Sequence, residues 1–159
     1  MRGRRLRGPL PDFTYNNDDA KRREIALGDL VTVGDVGYQD PDGYVFLCDR
    51  KRDMIISGGV NVYPAEIESV LIQMPGVRDC AVFGIPDAEF GERLCACIEP
   101  DTGATLSAAA VQAFLRDRLA NFKVPKEIQF LDALPREATG KIFKRKLRDP
   151  YWAGQNKAG

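Results

Sequence analysis

The chain has 159 residues, and its 23 lysine and arginine residues balance its 23 aspartate and glutamate residues. This length suits one small domain, or a small domain with part of another, and is short for a complete ATP-dependent enzyme with two further substrates. The balanced charge argues against nucleic acid as a partner. Histidine is absent, which excludes a Ser/His/Asp triad and most catalytic zinc sites, and we predict no metal site.

The cysteines lie in or beside apolar runs and lack the spacing of metal ligands: Cys48, Cys80, Cys95 and Cys97. We interpret them as buried, reduced thiols, which are typical of cytosolic proteins. No apolar stretch approaches the length of a membrane span, and the basic start lacks the apolar segment of a secretory signal. The sequence therefore predicts a cytoplasmic protein without a transmembrane segment.

Residues 1–27 begin with arginines set among glycines and prolines. Their low apolar content predicts a disordered or partial N-terminal segment, and a polybasic binding arm is the less favoured alternative. Two strand-like runs follow, at residues 30–38 and 44–48, on either side of an Asp-Pro-Asp-Gly sequence. This turn chemistry predicts a β-hairpin within residues 28–51.

A second hairpin and a helix come next. Residues 54–56 and 60–62 are strand-like and are joined through Ser57, Gly58 and Gly59, which predicts a short β-hairpin. Proline at residue 64 suits the first turn of a helix, which a Pro-Gly sequence would end. Apolar residues recur between them at helical spacing and predict its buried face: Ile67, Val70, Leu71 and Met74.

The remaining elements predict an α+β fold. Residues 80–85 and 94–98 are continuous apolar runs, which indicate strands covered on both faces, and residues 128–131 predict a third strand. Ser107 is placed to cap a second helix, and a basic tail follows the third strand. We therefore expect a short β-hairpin and a three-stranded sheet flanked by helices in residues 52–149, with a tail at residues 150–159.

Three features could carry chemistry. The charge run at residues 49–53 is most often a solvated turn. The pair Gly58 and Gly59 would permit close approach of a ligand, although a plain hairpin turn is the better interpretation from these residues alone. The Pro-Arg-Glu-Ala-Thr-Gly-Lys sequence at residues 135–141 places a glycine before Lys141 but lacks the spacing of a P-loop.

In this order, the three features resemble the C-terminal end of the adenylate-forming superfamily, which includes acyl-CoA synthetases, luciferases and the adenylation domains of peptide synthetases. The matching segments are VGDVGYQDPDGYVFLCDRKRDMIISGGVNVYPAEIE, NFKVPKEIQFLDALP and PREATGKIFKRKL. The MIISGGVNVYPAEIE phrase is most similar to fatty-acyl and aryl-acyl CoA ligases. The resemblance implies a small C-terminal lid domain at residues 52–149 and a hairpin remnant of the large N-terminal adenylation domain at residues 28–51.

The resemblance implies a ligase that joins a carboxylate, here expected to be a fatty acid, to AMP and passes the acyl group from the acyl-adenylate to CoA. ATP and CoA are then substrates, and Mg²⁺ is expected with ATP, without a ligand in this chain. The acid pocket and phosphate loop belong to the N-terminal domain, so we expect the chain alone to be inactive. A truncated gene, an excised fragment and a split enzyme working with an N-terminal adenylation domain in trans stay open, and the arginine-rich start favours truncation.

The nucleotide roles follow residue by residue from the resemblance. Lys141 matches the lysine that bridges the substrate carboxylate and the α-phosphate during adenylation, and an exposed, solvated lysine is the less favoured interpretation. Asp35 matches the aspartate that holds the ribose hydroxyls, and Arg50 matches an arginine that contacts the nucleotide. Arg52 falls at the hinge about which the C-terminal domain swings between the two half-reactions, where the family commonly has aspartate or lysine.

The CoA roles are implied in the same way. Gly58 and Gly59 match the glycines that line the tunnel for the pantetheine arm. Phe122 would stack on the CoA adenine, with Lys123 and Lys126 near the phosphates, whereas a core aromatic at a helix end is an equally good interpretation of Phe122. The alternative function is a non-catalytic, stand-alone lid that binds CoA, a carrier protein or a full-length ligase.

Overall fold

The computed structural model describes residues 4–5, 8–9, 23, 26–27, 30–32 and 34–154. The chain folds as two compact units, Met1–Arg52 and Asp53–Gly159. The predicted disordered or partial segment at residues 1–27 lies largely outside the described residues, as do residues 155–159 of the predicted tail.

The first unit is centred on the predicted β-hairpin. Its strands are β1 (Arg4–Arg5), β2 (Gly8–Pro9), β3 (Ala26–Leu27), β4 (Leu30–Val31), β5 (Asp35–Gln39) and β6 (Val45–Arg50). β5 and β6 pair antiparallel, and the Asp40 carboxylate closes their turn by accepting hydrogen bonds from the backbone N–H groups of Asp42 and Tyr44. The strand predicted at residues 30–38 is interrupted because Gly34 adopts a φ of 91°.

The second unit contains one five-stranded sheet. Its strands are β7 (Ile55–Ser57), β8 (Val60–Val62), β9 (Val77–Asp87), β10 (Gly91–Pro100) and β11 (Glu127–Phe130). β9 and β10 form an antiparallel hairpin, and β11 runs parallel to β10. The hairpin of β7 and β8 joins this sheet where Ser57 pairs with Gly91. The predicted hairpin and three-stranded sheet are therefore parts of one sheet.

Helices α1 (Pro64–Leu71) and α2 (Ala108–Arg116) cover one face of that sheet. The predicted cap is confirmed, since the Ser107 hydroxyl accepts a hydrogen bond from the Ala110 N–H over 3.2 Å. Alternate residues of β9 and β10 face the helices because successive strand residues point to opposite faces. The fully buried members of this core include Ile67, Leu71, Val82, Ile98, Val111 and Leu115.

Helix α3 (Lys144–Trp152) covers the other face of the sheet, in the stretch after β11 where the sequence predicts a basic tail. That prediction is wrong for α3. Leu147 and Tyr151 pack against the core around Phe83, and the Trp152 indole N–H donates to the Gly84 carbonyl over 3.0 Å. The many charges of this segment mask its apolar face, although a sheet with two apolar faces requires a second cover.

Candidate functional site

Lys141 lies at the end of a tight loop in the second unit. The Glu137 N–H donates to the Lys141 carbonyl over 2.8 Å, and Arg136 forms an isolated antiparallel bridge with Ile142. Gly140 adopts a φ of 85°, a left-handed conformation that other residues resist. The backbone of the loop therefore favours glycine at the position before the lysine. The Lys141 side chain is exposed and forms no ion pair with any residue that the structure describes.

Other lysines of this region are engaged with carboxylates. Lys144 Nζ lies 2.7 Å from Glu68 Oε1, and Lys123 Nζ is hydrogen bonded to Glu66 Oε1. Both acids belong to α1. Lys141 differs from these two lysines because its ammonium group is presented to solvent, where it can meet an anionic ligand.

Asp35 and Arg50 occupy directly opposite positions on β5 and β6 of the first unit. Arg50 Nε lies 3.6 Å from Asp35 Oδ1, and both side chains are partly exposed. An exposed pair of this kind contributes little to stability. It does combine a carboxylate that accepts hydrogen bonds from hydroxyl groups with a guanidinium group that donates to anionic oxygens.

Arg52 lies in a short 3₁₀ helix, Lys51–Asp53, and its side chain is exposed. It is the last residue of the first unit, because the second unit begins at Asp53. The predicted hinge residue is therefore located at the boundary between two separately compact parts of the chain.

Gly58 and Gly59 form the turn between β7 and β8, with φ values of 56° and 77°. A side chain at Gly58 would place its Cβ 3.1 Å from the ring of Phe90, whereas a Cβ at Gly59 would meet nothing within 4 Å. The space beside Gly59 is open, as passage of a ligand requires. Both the plain turn and the close-approach interpretation are thus compatible with this geometry.

Phe90 connects the glycine turn to Lys126. The Gly58 N–H donates to the Phe90 carbonyl over 2.9 Å, and Lys126 Nζ lies 5.1 Å from the centre of the Phe90 ring. The Asp87 carboxylate accepts hydrogen bonds from the N–H groups of Phe90 and Glu89, which lower the pKa of Asp87. Phe90 was not predicted as a site residue, because a lone aromatic between strands has no distinctive spacing.

Phe122 is 52% exposed and lies in the 3₁₀ helix Asn121–Lys123. The interpretation of Phe122 as a core aromatic is therefore wrong, and its ring is available for stacking. Lys123 lies 5.7 Å from that ring but is hydrogen bonded to Glu66. Among the predicted phosphate-binding lysines, Lys126 is the one without an ion pair to a described residue.

Cys80, on β9, carries a buried thiol in the core beneath α1 and α2. Its Sγ donates to the Glu68 carbonyl, with a sulfur–oxygen distance of 3.7 Å. Burial, followed by the nearby Glu68 and Asp79 carboxylates, raises the pKa of Cys80 from 9.0 to about 12. At neutral pH this thiol is protonated and not nucleophilic.

The raised pKa of Cys80 predicts a loss of stability in alkali. The pKa of the thiol is 9.0 in the unfolded chain and about 12 in the folded chain. The contribution of Cys80 to the free energy of unfolding is therefore complete below pH 9.0 and declines as the pH rises toward 12. We expect the unfolding free energy of the wild type to fall more steeply than that of Cys80→Ala over this range. Urea unfolding at successive pH values measures both slopes, and parallel curves above pH 9.0 would contradict the assignment.

The family of AMP-binding enzyme C-terminal domains matches residues 66–141. Residues 66–141 belong to the C-terminal domain of the adenylate-forming enzymes. The chain is 50% identical over 145 residues to an octahydroindenyl-propanoyl:CoA ligase of Rhodococcus jostii, covering 91% of this chain and 28% of the relative. It is 45% identical over 139 residues to the long-chain-fatty-acid–CoA ligase FadD13 of Mycobacterium tuberculosis, and the match covers 87% of this chain and 27% of that relative.

Solved structures agree with this assignment. The ATP-bound structure of MatB from Rhodopseudomonas palustris superposes with a TM-score of 0.76 at 43% identity, over 84% of this chain and 26% of that one. The predicted family and the predicted small α+β fold are therefore confirmed. The chain spans little more than a quarter of the length of the relatives it matches.

Proposed function

We propose that this chain is the C-terminal part of an AMP-forming acid:CoA ligase and that it supplies Lys141 to the adenylation step. The observation that carries the proposal is the exposed Lys141 on an ordered, glycine-containing loop, in a domain whose relatives are named as CoA ligases. We also propose that the domain boundaries at residues 27, 51 and 149 separate functional segments. Helix α3 crosses the last of these boundaries.

The chemistry gives Lys141 a defined task. A carboxylate oxygen attacks the α-phosphorus of ATP, a phosphorus–oxygen bond forms, and the bond to pyrophosphate breaks. The attacking carboxylate and the phosphate repel each other, and negative charge grows on the leaving group. The Lys141 ammonium, placed between the two anions, would offset that repulsion and stabilise the transition state. Asp35 would hold the ribose hydroxyls and Arg50 would contact the nucleotide.

The second half-reaction would use another surface of the same domain. The CoA thiol attacks the acyl carbon of the acyl-adenylate, and AMP leaves. The open space at Gly59 supports a passage for the pantetheine arm beside Gly58. The exposed ring of Phe122 supports stacking on adenine, and Lys126 would approach the phosphates. Lys123 would bind a phosphate only by leaving Glu66.

A hinge at Arg52 would let one domain serve both half-reactions. The division of the chain into compact units at this residue supports that role. Rotation about a few backbone bonds at such a boundary disturbs neither core.

The proposed partner is an N-terminal adenylation domain that supplies the acid pocket and the phosphate loop. Strand β6 and the residue before it present exposed apolar side chains, Tyr44, Val45, Phe46 and Leu47. Consecutive strand residues point to opposite faces, so both faces of this hairpin offer apolar surface to a covering domain. Each relative extends well beyond the stretch that this chain matches, which supports such a partner.

We propose a fatty acid as the activated acid and ATP with Mg²⁺ and CoA as the other substrates. The long-chain-fatty-acid name of one relative supports the acid, and the ATP-bound neighbour supports the nucleotide. Within the described residues, no group of three or more His, Cys, Asp or Glu side chains could hold a metal ion. The Mg²⁺ would then arrive with ATP and with ligands outside this chain.

A cytoplasmic location remains part of the proposal. Three cysteines, Cys80, Cys95 and Cys97, are free and buried, which supports a reducing compartment. No helix within the described ranges has the length and apolar character needed to cross a membrane.

ATP–pyrophosphate exchange with a panel of fatty and aromatic acids tests the proposal. The chain would be assayed alone and with the N-terminal part of FadD13 expressed without its own C-terminal domain. We expect no exchange from the chain alone and acid-dependent exchange when both parts are present. Failure of both the mixture and a covalent fusion of the two parts would contradict the catalytic proposal. Nucleotide or CoA binding without turnover in the fusion would instead favour the non-catalytic module.

A further inference from the structure

Two carboxylates lie directly opposite each other at the end of the β9–β10 hairpin. Asp79 pairs with Glu99, and the register shifts immediately beyond them, so Arg78 is an extra residue on β9. Like charges at opposite positions destabilise a sheet unless other groups compensate them. Arg78 Nε lies 3.3 Å from Glu99 Oε1, which compensates one of the two acids.

The second acid is compensated by the loop that carries Lys141. One terminal amino group of the Arg136 guanidinium is hydrogen bonded to Asp79 Oδ2. The other donates to the Gly140 carbonyl over 3.1 Å. Arg136 therefore connects a strand of the sheet to the residue that precedes Lys141. A planar guanidinium group with fixed donors can hold both acceptors at once.

Glu99 fixes the start of the same segment. Glu99 is 5% exposed, and its Oε2 accepts a hydrogen bond from the Leu134 N–H over 2.8 Å. Leu134 is itself buried in the core beneath α3. Glu99 therefore holds the loop where it leaves the core at Leu134. Asp79 holds its turn at Gly140 through Arg136.

We propose that Asp79 and Arg136 are positioning residues, which hold the loop at Gly140 so that Lys141 is presented in one orientation, with Glu99 anchoring the base of the loop. This inference rests on the proposed function for its catalytic consequence. Its structural part, the ordering of the loop, stands on the contacts alone. Neither Asp79 nor Arg136 would touch a substrate.

Arg136 can order the loop because the backbone hydrogen bonds of the loop are few and exposed. Glu137, Gly140 and Lys141 share backbone hydrogen bonds in an exposed turn, where water competes for every donor. The charge-assisted hydrogen bond from Arg136 disfavours loop conformations in which the Gly140 carbonyl turns away to water, because it holds that carbonyl toward the sheet. Without it, Lys141 would sample several orientations, and few of them would suit a near-attack geometry.

The structural part is tested on the chain alone, by hydrogen exchange of backbone amides measured with NMR. Asp79→Asn removes the charge but keeps the oxygen that accepts from the Cys80 N–H, and Arg136→Gln removes the guanidinium group. We expect the Glu137 and Gly140 amides to exchange about tenfold faster in both variants, as loss of one charge-assisted hydrogen bond implies. The Ala96 amide, in β10, reports whether the core is unchanged.

Arg145→Gln is the matched control, since it breaks the exposed Arg145–Asp149 ion pair on α3. In this variant the Glu137 and Gly140 amides are expected to exchange as fast as in the wild type. Unchanged exchange in Asp79→Asn and Arg136→Gln would overturn the proposal. Equal acceleration at Ala96 would also overturn it, since the pair would then stabilise the whole domain and would not order the loop.

The catalytic part is tested in the fusion with the FadD13 N-terminal part. We expect Arg136→Gln to lower the kcat of ATP–pyrophosphate exchange about tenfold, with little change in KM, and to leave thioester formation from synthetic acyl-adenylate unchanged. Arg136→Lys should restore part of the rate. Equal losses in both half-reactions would overturn the positioning role. If the wild-type fusion shows no exchange, the proposed function fails, and the hydrogen-exchange result still decides whether the pair orders the loop.

Discussion

Replacing Lys141 by alanine is expected to slow acyl-adenylate formation by about a thousandfold in the fusion with an N-terminal adenylation part. A cation about 4 Å from the developing charge, at an effective dielectric constant near 20, contributes roughly 4 kcal/mol to the transition state. The exposed position of Lys141 means that its removal leaves no buried partner unpaired. The loss should therefore appear in the rate and not in folding.

The measurement separates the two half-reactions. ATP–pyrophosphate exchange reports adenylation, and CoA thioester formation from synthetic acyl-adenylate reports the second step. Lys141→Ala should reduce the first and leave the second within a few-fold of wild type, because the lysine would act only while pyrophosphate leaves. Lys146→Ala is the matched control, as Lys146 is an exposed lysine on the neighbouring helix α3.

Two results would contradict this assignment. Equal exchange in Lys141→Ala and Lys146→Ala would show that the loop lysine is merely solvated. A comparable loss in both half-reactions would show that the residue supports the domain or its docking, and would remove the reason for a domain rotation between the two steps.

The regular elements of the second unit other than α3 were predictable because their signals are local. Helical spacing of apolar residues placed α1 and α2, and the apolar runs placed β9 and β10. A cap and two glycine-containing turns marked the ends of elements. Each of these signals depends on neighbours a few residues away, so one sequence is sufficient to find them.

Helix α3 could not be predicted in the same way. Its apolar face consists of few residues, Leu147 and Tyr151 with Trp152, among many charges. What holds it is the uncovered face of a sheet far away in sequence, including the Gly84 carbonyl. Tertiary burial thus overrides a local pattern that favours a polar tail.

The candidate site shows the same division. Lys141 and the glycine turn could be found because a motif surrounds each of them. Their supporting contacts could not: Arg136 meets Asp79 across 57 residues, and Phe90 reaches Gly58 through a backbone hydrogen bond. Contacts of this kind depend on strand register, which a single sequence does not specify.

Replacing Ile98 by alanine is expected to lower the unfolding free energy of the second unit by about 3 kcal/mol, through lost burial and the cavity left behind. Ile98 is 0% exposed on β10, between Cys80 on β9 and Phe130 on β11, and it contributes to the core beneath α1 and α2. This loss is a large share of the stability of a small domain.

Urea unfolding followed by the fluorescence of Trp152 measures the change, since Trp152 is the single tryptophan and is hydrogen bonded to β9. The midpoint should fall while the denaturant dependence stays constant. Ile72→Ala is the matched control, because the same side chain is 47% exposed just after α1 and should change stability by less than about 1 kcal/mol. Similar losses of unfolding free energy in Ile98→Ala and Ile72→Ala would contradict the assignment of Ile98 to the core and Ile72 to the surface. The selective loss would show that the second unit has a core of its own, which the proposed rotation about Arg52 requires.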